Sequence, residues 1–506
     1  MRQSNGYVFL FRNDLSPVGI HGVCFLGGDE CRYRTVRLSD QYDCARRRTP
    51  PSRSDVTLEE TRRRFNCVAT TMKSDTHVCF VALLAAPLFD PTLDHGFGGM
   101  ESRAALFAKA LARRKDFRVS FLLNDNYVPR RRRVDNVLLV PYPNYHERIC
   151  DIDYRHSKQF WHQVKRLNRF PWVKPLDLHL SAPWHWAVYR LTRTILRSDI
   201  FSPHYFAYTP PHRWIYRTLG ADAYIVMGVN WLAAETVVSC RKYGRRSVIC
   251  LASDGNLSPL YQAGSVVCDP AGEIGNACHY AIMNADAIIA QTERQKDLLK
   301  TRFGRDCTVI RNPIVLDDAA IPEVSPTREF ALWIGRSDDF HKRPLLCLDL
   351  AARCPEIPFV MIMNRTNPQI YDEVLKRKGP NVRVIERVPP PEMPDYFRRA
   401  QVLVSTSSSA FEGCPNVFLQ AGKYGTPIVS LDVDPDGTLA GRGCALLAGG
   451  DLAVLASDVR QVWRDARVAT TLTTRMRAHL KQSHEIGGRV QEMATALQEL
   501  VGRRGQ

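Results

Sequence analysis

Short apolar runs alternate with amphipathic segments along the chain from Val78 onwards. Runs such as "HVCFVALLAAP", "FRVSFLLND", "RSVICLAS" and "ADAIIAQ" are continuously apolar, which is typical of strands buried on both faces. Segments with helical periodicity lie between them, among them "ESRAALFAKALARRKD" and "ERQKDLLKTRF". Thr292 and Gln295 have capping-box spacing at the start of the second of these helices, and Gly304 is placed to end it. The pattern predicts a parallel sheet with helices on both faces.

A second series of the same kind begins at Glu329. Its predicted strands are "EFALWIGR", "PFVMIMN", "NVRVIE", "QVLVSTS" and "PIVSLDV", and the tail from Asp451 is helical. The sequence therefore predicts an α/β protein with two doubly wound, Rossmann-like domains, residues 76–320 and 327–485, followed by a C-terminal helix at 486–506. Two such domains face a central cleft, and ligands of these sheets bind beyond the carboxyl ends of the strands.

Residues 1–75 differ from the rest because they combine Arg runs with Pro and Ser, as in "CARRRTPPSRSD". Two interpretations stay open: a disordered extension or over-extended gene start, with Met72 as the true beginning, or a basic arm for an anionic surface. The apolar run Val78–Phe89 is too short to span a bilayer and resembles a signal-peptide core only if translation starts at Met72. We interpret it as a buried strand and the protein as cytoplasmic.

The composition narrows the choice of partners. The chain has 506 residues, 45% hydrophobic and 24% charged, as is ordinary for a soluble globular protein, and a net charge of +17. This charge favours an anionic partner without distinguishing nucleotide, phosphate, acidic lipid and nucleic acid. The 15 cysteines form no C-x-x-C pair and no zinc-type cluster, so they indicate a reducing compartment and no metal site.

The stretch "EGCPNVFLQAGKYGTPIVS" (residues 412–430, the signature segment) carries the strongest functional signal. Pro415 is suited to start a helix and Gly425 to end it, so the backbone amides of Gly413–Asn416 would form a phosphate site at a helix N-terminus. Glu412 would then point past the phosphate to neutral hydroxyls, and Gln420 would bind a second pair of hydroxyls. A ligand with hydroxyls on both sides of phosphates is a nucleotide-sugar.

The signature segment resembles the E-x7-E signature of family 4 of the retaining glycosyltransferases, which have the GT-B fold. The similarity extends over most of residues 78–480 and includes "ADAIIAQTERQKDLLKTRFGRDCTVIRNPI" and "LWIGRSDDFHKRP". The resemblance implies a GT-B protein whose C-terminal helix returns to the first domain. It also implies a metal-independent hexosyltransferase that needs no cofactor and moves a sugar from a nucleotide-diphosphate sugar to an acceptor hydroxyl with retention. The implied setting is glycan, glycolipid or polysaccharide biosynthesis.

The resemblance also implies roles for single residues. Glu412 would contact the transferred sugar. Gln420 stands where the family has an acid on the ribose hydroxyls, and an amide loses charge-assisted bonds that are roughly twice as strong. The other interpretation is that Gln420 is an ordinary exposed helix residue with no role in binding. Arg336 and Lys342 resemble the basic pair that neutralises the leaving diphosphate. Solvated loop charges are the alternative for this pair, and the adjacent Arg343 could exchange roles with Lys342.

A glycine loop (residues 96–101, "GFGGME") lies between the first strand and the first helix. The amides of Gly98 and Gly99 could reach a phosphate from the opposite domain, and the loop resembles the family's G-G-x-E motif. A tight turn is the alternative. The predicted donor-binding residues are therefore Gly98, Gly99, Gly413, Cys414, Pro415, Asn416 and Gln420.

Three further features have weaker signals. Ser253 and Asp254 stand where many relatives have a His-Asp pair, so Asp254 either binds or deprotonates a hydroxyl or only caps a turn. The D-x-D in "DVDPD" (Asp432–Asp436) is interpreted as structural or substrate-lining rather than metal-binding. Cys414 is not expected to be a nucleophile. The predicted catalytic residues are Arg336, Lys342, Glu412 and Asp254.

Basic and aromatic residues are enriched in the first domain. Arg130–Arg133 form a run of four, and six of the eight tryptophans fall in this half: Trp161, Trp172, Trp184, Trp186, Trp214 and Trp231. One interpretation is peripheral contact with an anionic membrane, on its inner face, or with a lipid-linked acceptor; the other is core or acceptor-groove packing. No nucleic-acid motif is recognised, so the predicted partners are a nucleotide-sugar and a glycan or lipid-linked acceptor.

Two other functions remain compatible with the sequence. A nucleotide-sugar epimerase shares this architecture and needs no acceptor. A catalytically inactive homologue would bind a nucleotide-sugar or a glycan as a scaffold, and Gln420 and the missing histidine are the features that favour it.

Overall fold

The computed structural model describes residues 75–93, 95–124, 128–129, 131–142, 214–265, 267–316 and 328–503. All of them belong to one compact unit. The strands are β1 (Thr76–Val81), β2 (Phe117–Asn124), β3 (Arg133–Val134), β4 (Val137–Tyr142), β5 (Ala223–Met227), β6 (Arg246–Cys250), β7 (Ala287–Ala290), β8 (Thr308–Val309), β9 (Phe330–Arg336), β10 (Phe359–Asn364), β11 (Val382–Ile385), β12 (Ala400–Ser405), β13 (Ile428–Ser430) and β14 (Leu446–Leu447).

The helices complete both domains. They are α1 (Gly99–Leu111), α2 (Trp214–Leu219), α3 (Trp231–Lys242), α4 (Gly275–Asn284), α5 (Glu293–Phe303), α6 (Pro344–Arg353), α7 (Pro368–Arg377), α8 (Met393–Arg399), α9 (Asn416–Lys423), α10 (Thr438–Gly441), α11 (Leu452–Arg464), α12 (Ala466–Ser483) and α13 (Ile486–Gly502). Among the described helices, none is long and apolar enough to cross a membrane.

The first sheet has the order β3-β4-β2-β1-β5-β6-β7-β8 and is parallel except for the β3–β4 hairpin. Its central strands β1 and β5 are buried along almost their whole length because both faces of the sheet are covered. Helices α1 and α13 cover one face, and α2, α3 and α4 cover the other. The hairpin carries the exposed Arg131–Arg133 and turns at Asp135 and Asn136, both with positive φ.

The second sheet has the order β11-β10-β9-β12-β13-β14 and is parallel throughout its described strands. Helices α6, α7 and α11 pack on one face, and α8 and α9 pack on the other. Trp333 in β9 is fully buried, and its indole donates to Thr406 Oγ1 at 2.9 Å. This contact fixes the ends of β9 and β12 side by side.

The chain crosses between the two domains at two adjacent places. Ile314, after the first domain, pairs with Glu485 in a parallel β-bridge. The amide of Ile314 donates to the His484 carbonyl at 2.8 Å, and the His484 ring contacts the Asn312 carbonyl at 2.8 Å. Beyond this bridge, α13 returns to the first domain and packs against α1. The two crossings form a double-stranded hinge.

The predicted architecture is confirmed: two doubly wound α/β domains are present, and the C-terminal helix returns to the first domain. The predicted junction between the domains and the N-terminal extension lie outside the described residues, as do Trp161, Trp172, Trp184 and Trp186. Helix α5 has only half of its expected capping box. Thr292 accepts from the amide of Gln295, but the Gln295 side chain accepts from Gln291 instead of returning to Thr292.

Two buried histidines make folding stability sensitive to acid. Burial, with nearby arginines, lowers the pKa of His77 to about 4 and that of His479 to about 4. Unfolded histidine titrates near pH 6.5, so between about pH 6.5 and 4 the unfolded chain binds protons that the native chain does not bind. Each ring therefore costs native stability as the pH falls through this window.

Replacing His77 with Gln should remove part of this acid sensitivity. The loss of unfolding free energy between pH 7 and pH 5 should be smaller in His77→Gln than in the parent by about 1 to 2 kcal/mol. Urea unfolding of both proteins at the two pH values measures it. Equal losses in the two proteins would contradict the assignment of His77 as a buried neutral ring.

Candidate functional site

A cleft of about 1020 Å³ lies between the carboxyl ends of the two sheets. In the first sheet, β1 has β2 on one side and β5 on the other, and in the second sheet β9 lies between β10 and β12. Chain connections diverge at such a switch point and leave a crevice there. The glycine loop, the basic loop after β9 (residues 336–343) and the signature segment all line this cleft.

The carboxylate of Glu412 is buried in the cleft wall, with its side chain 7% exposed. Its Oε2 accepts from Lys342 Nζ and lies 3.0 Å from His341 Nε2. Burial alone would raise the pKa of this carboxyl, but Lys342 and His341 lower it well below its usual range. Glu412 is therefore ionised at neutral pH and bound to two side chains of the basic loop.

Asp338 organises the basic loop from within. Its Oδ1 accepts the backbone amides of His341 at 2.9 Å and Lys342 at 2.8 Å. Its Oδ2 lies 3.1 Å from Arg336 Nε. One buried carboxylate thus holds the loop backbone and also forms an ion pair with Arg336.

Arg343 does not exchange roles with Lys342. Its backbone has a positive φ of 52°, which sends its side chain away from that of its neighbour. The guanidinium bonds to the Thr406 and Ser407 carbonyls and to Asp432. Lys342 lines the cleft, whereas the bonds of Arg343 stay within the second domain.

The N-terminus of α9 is more fully occupied than the sequence suggested. The amide of Cys414 donates to Gln291 Oε1 of the first domain at 3.2 Å, and the Cys414 carbonyl accepts from Asn312 at 3.0 Å. Pro415, the N-cap, has no amide hydrogen. The amides left at the first turn are those of Asn416 and Val417, which line the cleft.

Gly413 lies against two amide side chains of the first domain. A Cβ at this position would overlap Gln295 Nε2 and would lie 3.0 Å from Gln291 Oε1. The need for glycine comes from this close approach. It does not come from the backbone conformation, since the φ of Gly413 is not positive. The first domain thus supports the signature segment from behind.

The glycine loop reaches the signature helix. Asn416 Nδ2 donates to the Gly99 carbonyl at 2.8 Å, and a Cβ on Gly99 would lie 2.9 Å from the same nitrogen. The amide of Gly98 donates to Glu101 Oε2 at 2.8 Å at the start of α1. The structure brings Gly98, Gly99 and Asn416 together, but the Gly98 amide is already bonded within its own loop.

Asp254 faces away from the cleft surface. It is 2% exposed, pairs with Arg294 Nε at 2.7 Å and accepts from Gln295 Nε2 at 3.2 Å. Burial raises the pKa of Asp254, although the bonds from Arg294 and Gln295 oppose the rise. Its neighbour Ser253 lines the cleft instead. The arrangement gives Asp254 a supporting position behind the signature segment and outside the cleft lining.

The three aspartates of "DVDPD" bond to separate protein groups. Asp432 pairs with Arg343, and Asp434 accepts two backbone amides at the start of α10. Asp436 pairs with Arg311 at 3.0 Å and accepts two amides from the first turn of α5, across the domain boundary. Within the described ranges, no group of three or more His, Cys, Asp and Glu side chains is arranged to hold a metal ion.

Gln420 lies half-buried on the side of α9 that faces the cleft. This end of the cleft is also lined by Arg387–Pro390, Met393, Pro394, Lys423 and Tyr424.

Cys414 is 7% exposed, and burial raises the pKa of its thiol to about 12, so it holds no reactive thiolate.

The opposite end of the cleft belongs to the first domain. Tyr261, Asp269 and Glu273 line it, and Tyr261 donates to Asp269 Oδ2 at 2.6 Å. Glu273 Oε2 accepts the amide of Trp231 at the start of α3. Burial raises the pKa of Glu273 to about 7. This end is polar and acidic, in contrast to the basic loop.

Sequence reasoning missed His341, Asp338, Asn312 and the pair Gln291 and Gln295. His341 and Asp338 lie within the quoted stretch "LWIGRSDDFHKRP", and the other three lie within the quoted stretch "ADAIIAQTERQKDLLKTRFGRDCTVIRNPI", but neither stretch indicates what these side chains contact. The other three act on groups more than 100 positions away in the chain, apart from their local bonds.

The comparisons with known proteins agree with this geometry. A family described as "Glycosyl transferases group 1" matches residues 331–465. No curated protein matches the chain in sequence. The second domain is therefore a glycosyltransferase group 1 domain.

Solved structures with the same architecture cover most of the chain. Sucrose-phosphate synthase from Thermosynechococcus elongatus is 15% identical with a TM-score of 0.56, over 85% of this chain and 100% of that one. TarM from S. aureus is 12% identical with a TM-score of 0.55, over 83% and 99%. HepE from Anabaena, in complex with UDP-glucose, is 14% identical with a TM-score of 0.54, over 84% and 99%. The fold is GT-B.

Replacing Gly413 with Ala tests the close contact between the domains. The new Cβ cannot fit without moving Gln291 and Gln295, so we expect a loss of about 1 to 3 kcal/mol in unfolding free energy. Gly488→Ala is the matched control, because a Cβ there meets nothing within 4 Å and Ala favours the helix. Urea unfolding compares them, and equal stability of the two variants would rule out the contact.

Proposed function

We propose that this protein is a glycosyltransferase that moves a hexosyl group from a nucleotide-diphosphate sugar to an acceptor hydroxyl, with retention of configuration. The observation that carries the proposal is the convergence of Arg336, Lys342, buried Glu412 and the N-terminus of α9 on one cleft between two domains. The glycosyltransferase group 1 match and the GT-B fold support it.

The proposed chemistry follows from the charges. As the sugar–phosphate bond breaks, negative charge grows on the leaving diphosphate, and Arg336 with the first-turn amides of α9 stabilises it. Lys342 supplies a second cation while it holds Glu412 ionised. The Glu412 carboxylate stabilises the positive charge that develops on the sugar ring. The acceptor hydroxyl attacks from the face that the diphosphate leaves and passes its proton to the departing phosphate oxygen, and the proposed step uses no metal ion.

Several named neighbours support a uridine nucleotide as the first donor to test. HepE was solved with UDP-glucose and TarM with UDP, and a similar trehalose-phosphate synthase from Burkholderia vietnamiensis is UDP-forming. Gln420 would bind ribose hydroxyls at the α9 end of the cleft. The acceptor, a glycan or a lipid-linked sugar, would occupy the end near Glu273. We place the reaction in glycan, glycolipid or polysaccharide biosynthesis in the cytoplasm, and the exposed Arg131–Arg133 support contact with an anionic membrane face.

Removing the Arg336 guanidinium should slow turnover without unfolding the protein. Arg336→Ala should lower kcat/KM by about 100- to 1000-fold, because a charge that stabilises the leaving group is lost. The assay is donor-dependent release of nucleoside diphosphate. Arg460→Ala, which breaks an exposed pair with Glu356, is the control and should keep full activity. Undiminished turnover in Arg336→Ala would remove this mechanism.

A donor screen tests the ligand class. Thermal unfolding with UDP-, GDP- and ADP-glucose should show stabilisation by one nucleotide series, by about 2.7 kcal/mol at a ligand concentration of 100 times Kd. The matching nucleosides lack the diphosphate and should give little shift. Product analysis with and without acceptor then separates transfer from epimerisation, and binding without turnover would identify an inactive homologue.

A further inference from the structure

The His341 ring links two groups of the proposed site. Its Nδ1 lies 3.2 Å from Arg336 Nη2, and its Nε2 lies 3.0 Å from Glu412 Oε2. The side chain is 12% exposed and lines the cleft. Phe340 and Phe411 contact each other and flank the ring. The histidine therefore stands between the guanidinium and the carboxylate.

These contacts determine the protonation of the ring. A guanidinium has donors only, so His341 Nδ1 must accept the bond from Arg336 and carries no proton. The proton of the neutral ring is then on Nε2, where it donates to the Glu412 carboxylate. The neutral Nε2–H tautomer satisfies both of these contacts.

The backbone of His341 is bonded on both sides. The His341 amide is held by Asp338, and its carbonyl accepts from the Ser408 amide at 2.8 Å. These bonds attach it both to the basic loop and to the segment that leads to Glu412. Rotation of the ring would break both side-chain bonds together.

We propose that His341 is a positioning residue that must be neutral for the site to work. This inference rests on the proposed function, because it assigns to His341 the orientation of Arg336 towards the diphosphate. A proton on Nδ1 would point an N–H group at the guanidinium and break the bond that orients it. Glu412 and Asp338 bring negative charge to the surroundings of the ring, and Arg336 and Lys342 bring positive charge. A doubly protonated ring would therefore uncouple Arg336 from Glu412.

The pH profile of activity tests the proposal with two substitutions. His341→Gln keeps an acceptor and a donor without a titratable ring, and His341→Ala removes both. We expect kcat to fall by about 10- to 100-fold in the alanine variant, since a catalytic group is misplaced. The glutamine variant should recover part of this loss. Between pH 8 and 5, His341→Gln should lose much less of its kcat/KM than the parent loses.

Two controls separate His341 from other histidines. His279→Gln, on α4 away from the cleft, should keep the activity and the acid limb of the parent. His95→Gln changes another ring that lines the cleft. Whatever its kcat at pH 8, its kcat/KM should fall towards pH 5 by the same factor as in the parent. An unchanged acid limb in His341→Gln, or an alanine variant as active as the parent, would overturn the proposal.

A spectroscopic measurement is independent of turnover. In the full chain labelled with ¹⁵N-histidine, the His341 signal, assigned by its loss in His341→Gln, should show the Nε2–H tautomer at pH 7.5. A protonated ring or an Nδ1–H tautomer would overturn the proposal even if the enzyme is active. Absence of turnover with every donor, with the expected tautomer present, would instead count against the proposed function.

Discussion

A carboxylate withdrawn from water loses several kcal/mol of hydration unless cations and donors replace it. Glu412 is in this position, and its compensation comes from Lys342 and His341 on another loop. The basic loop and the signature segment are therefore fixed relative to one another by charge, and the contact between Phe340 and Phe411 lies beside these bonds. Asp338 extends the arrangement by holding the loop backbone and Arg336. Any ligand that enters the cleft meets an alternating set of charges that is already oriented.

Support for the signature segment comes from the first domain. Amide side chains of Gln291, Gln295 and Asn312 contact Gly413 and Cys414, and neutral amides can do so without adding charge near Glu412. Asp254 and Asp436 bring the remaining negative charge, and arginines balance each of them. The cleft floor is thus a polar junction between the domains, and it surrounds Glu412 with bonded side chains.

The fold could be predicted because its signals are local. Continuous apolar strands, the helix ended by Gly304 and the proline at the start of α9 depend on neighbours a few positions away. The positions of Glu412, Gln420, Arg336 and Lys342 on the cleft wall followed from motifs of the same short range. By contrast, the orientation of Asp254, the use of the Cys414 amide by Gln291 and the divergence of Arg343 from Lys342 depend on pairings across 40 to 123 positions or on one positive φ. No pattern of residue types encodes these.

The return of α13 to the first domain affects the order in which the protein can fold during synthesis. Five side chains of the first-domain core, Val490, Met493, Ala494, Leu497 and Leu500, are translated after the entire second domain. On the ribosome the first sheet therefore emerges with α1 uncovered, and it stays so until the second domain has been made. The core of the second domain draws on no residue of α13, so its side chains are all synthesised before the first-domain core is complete.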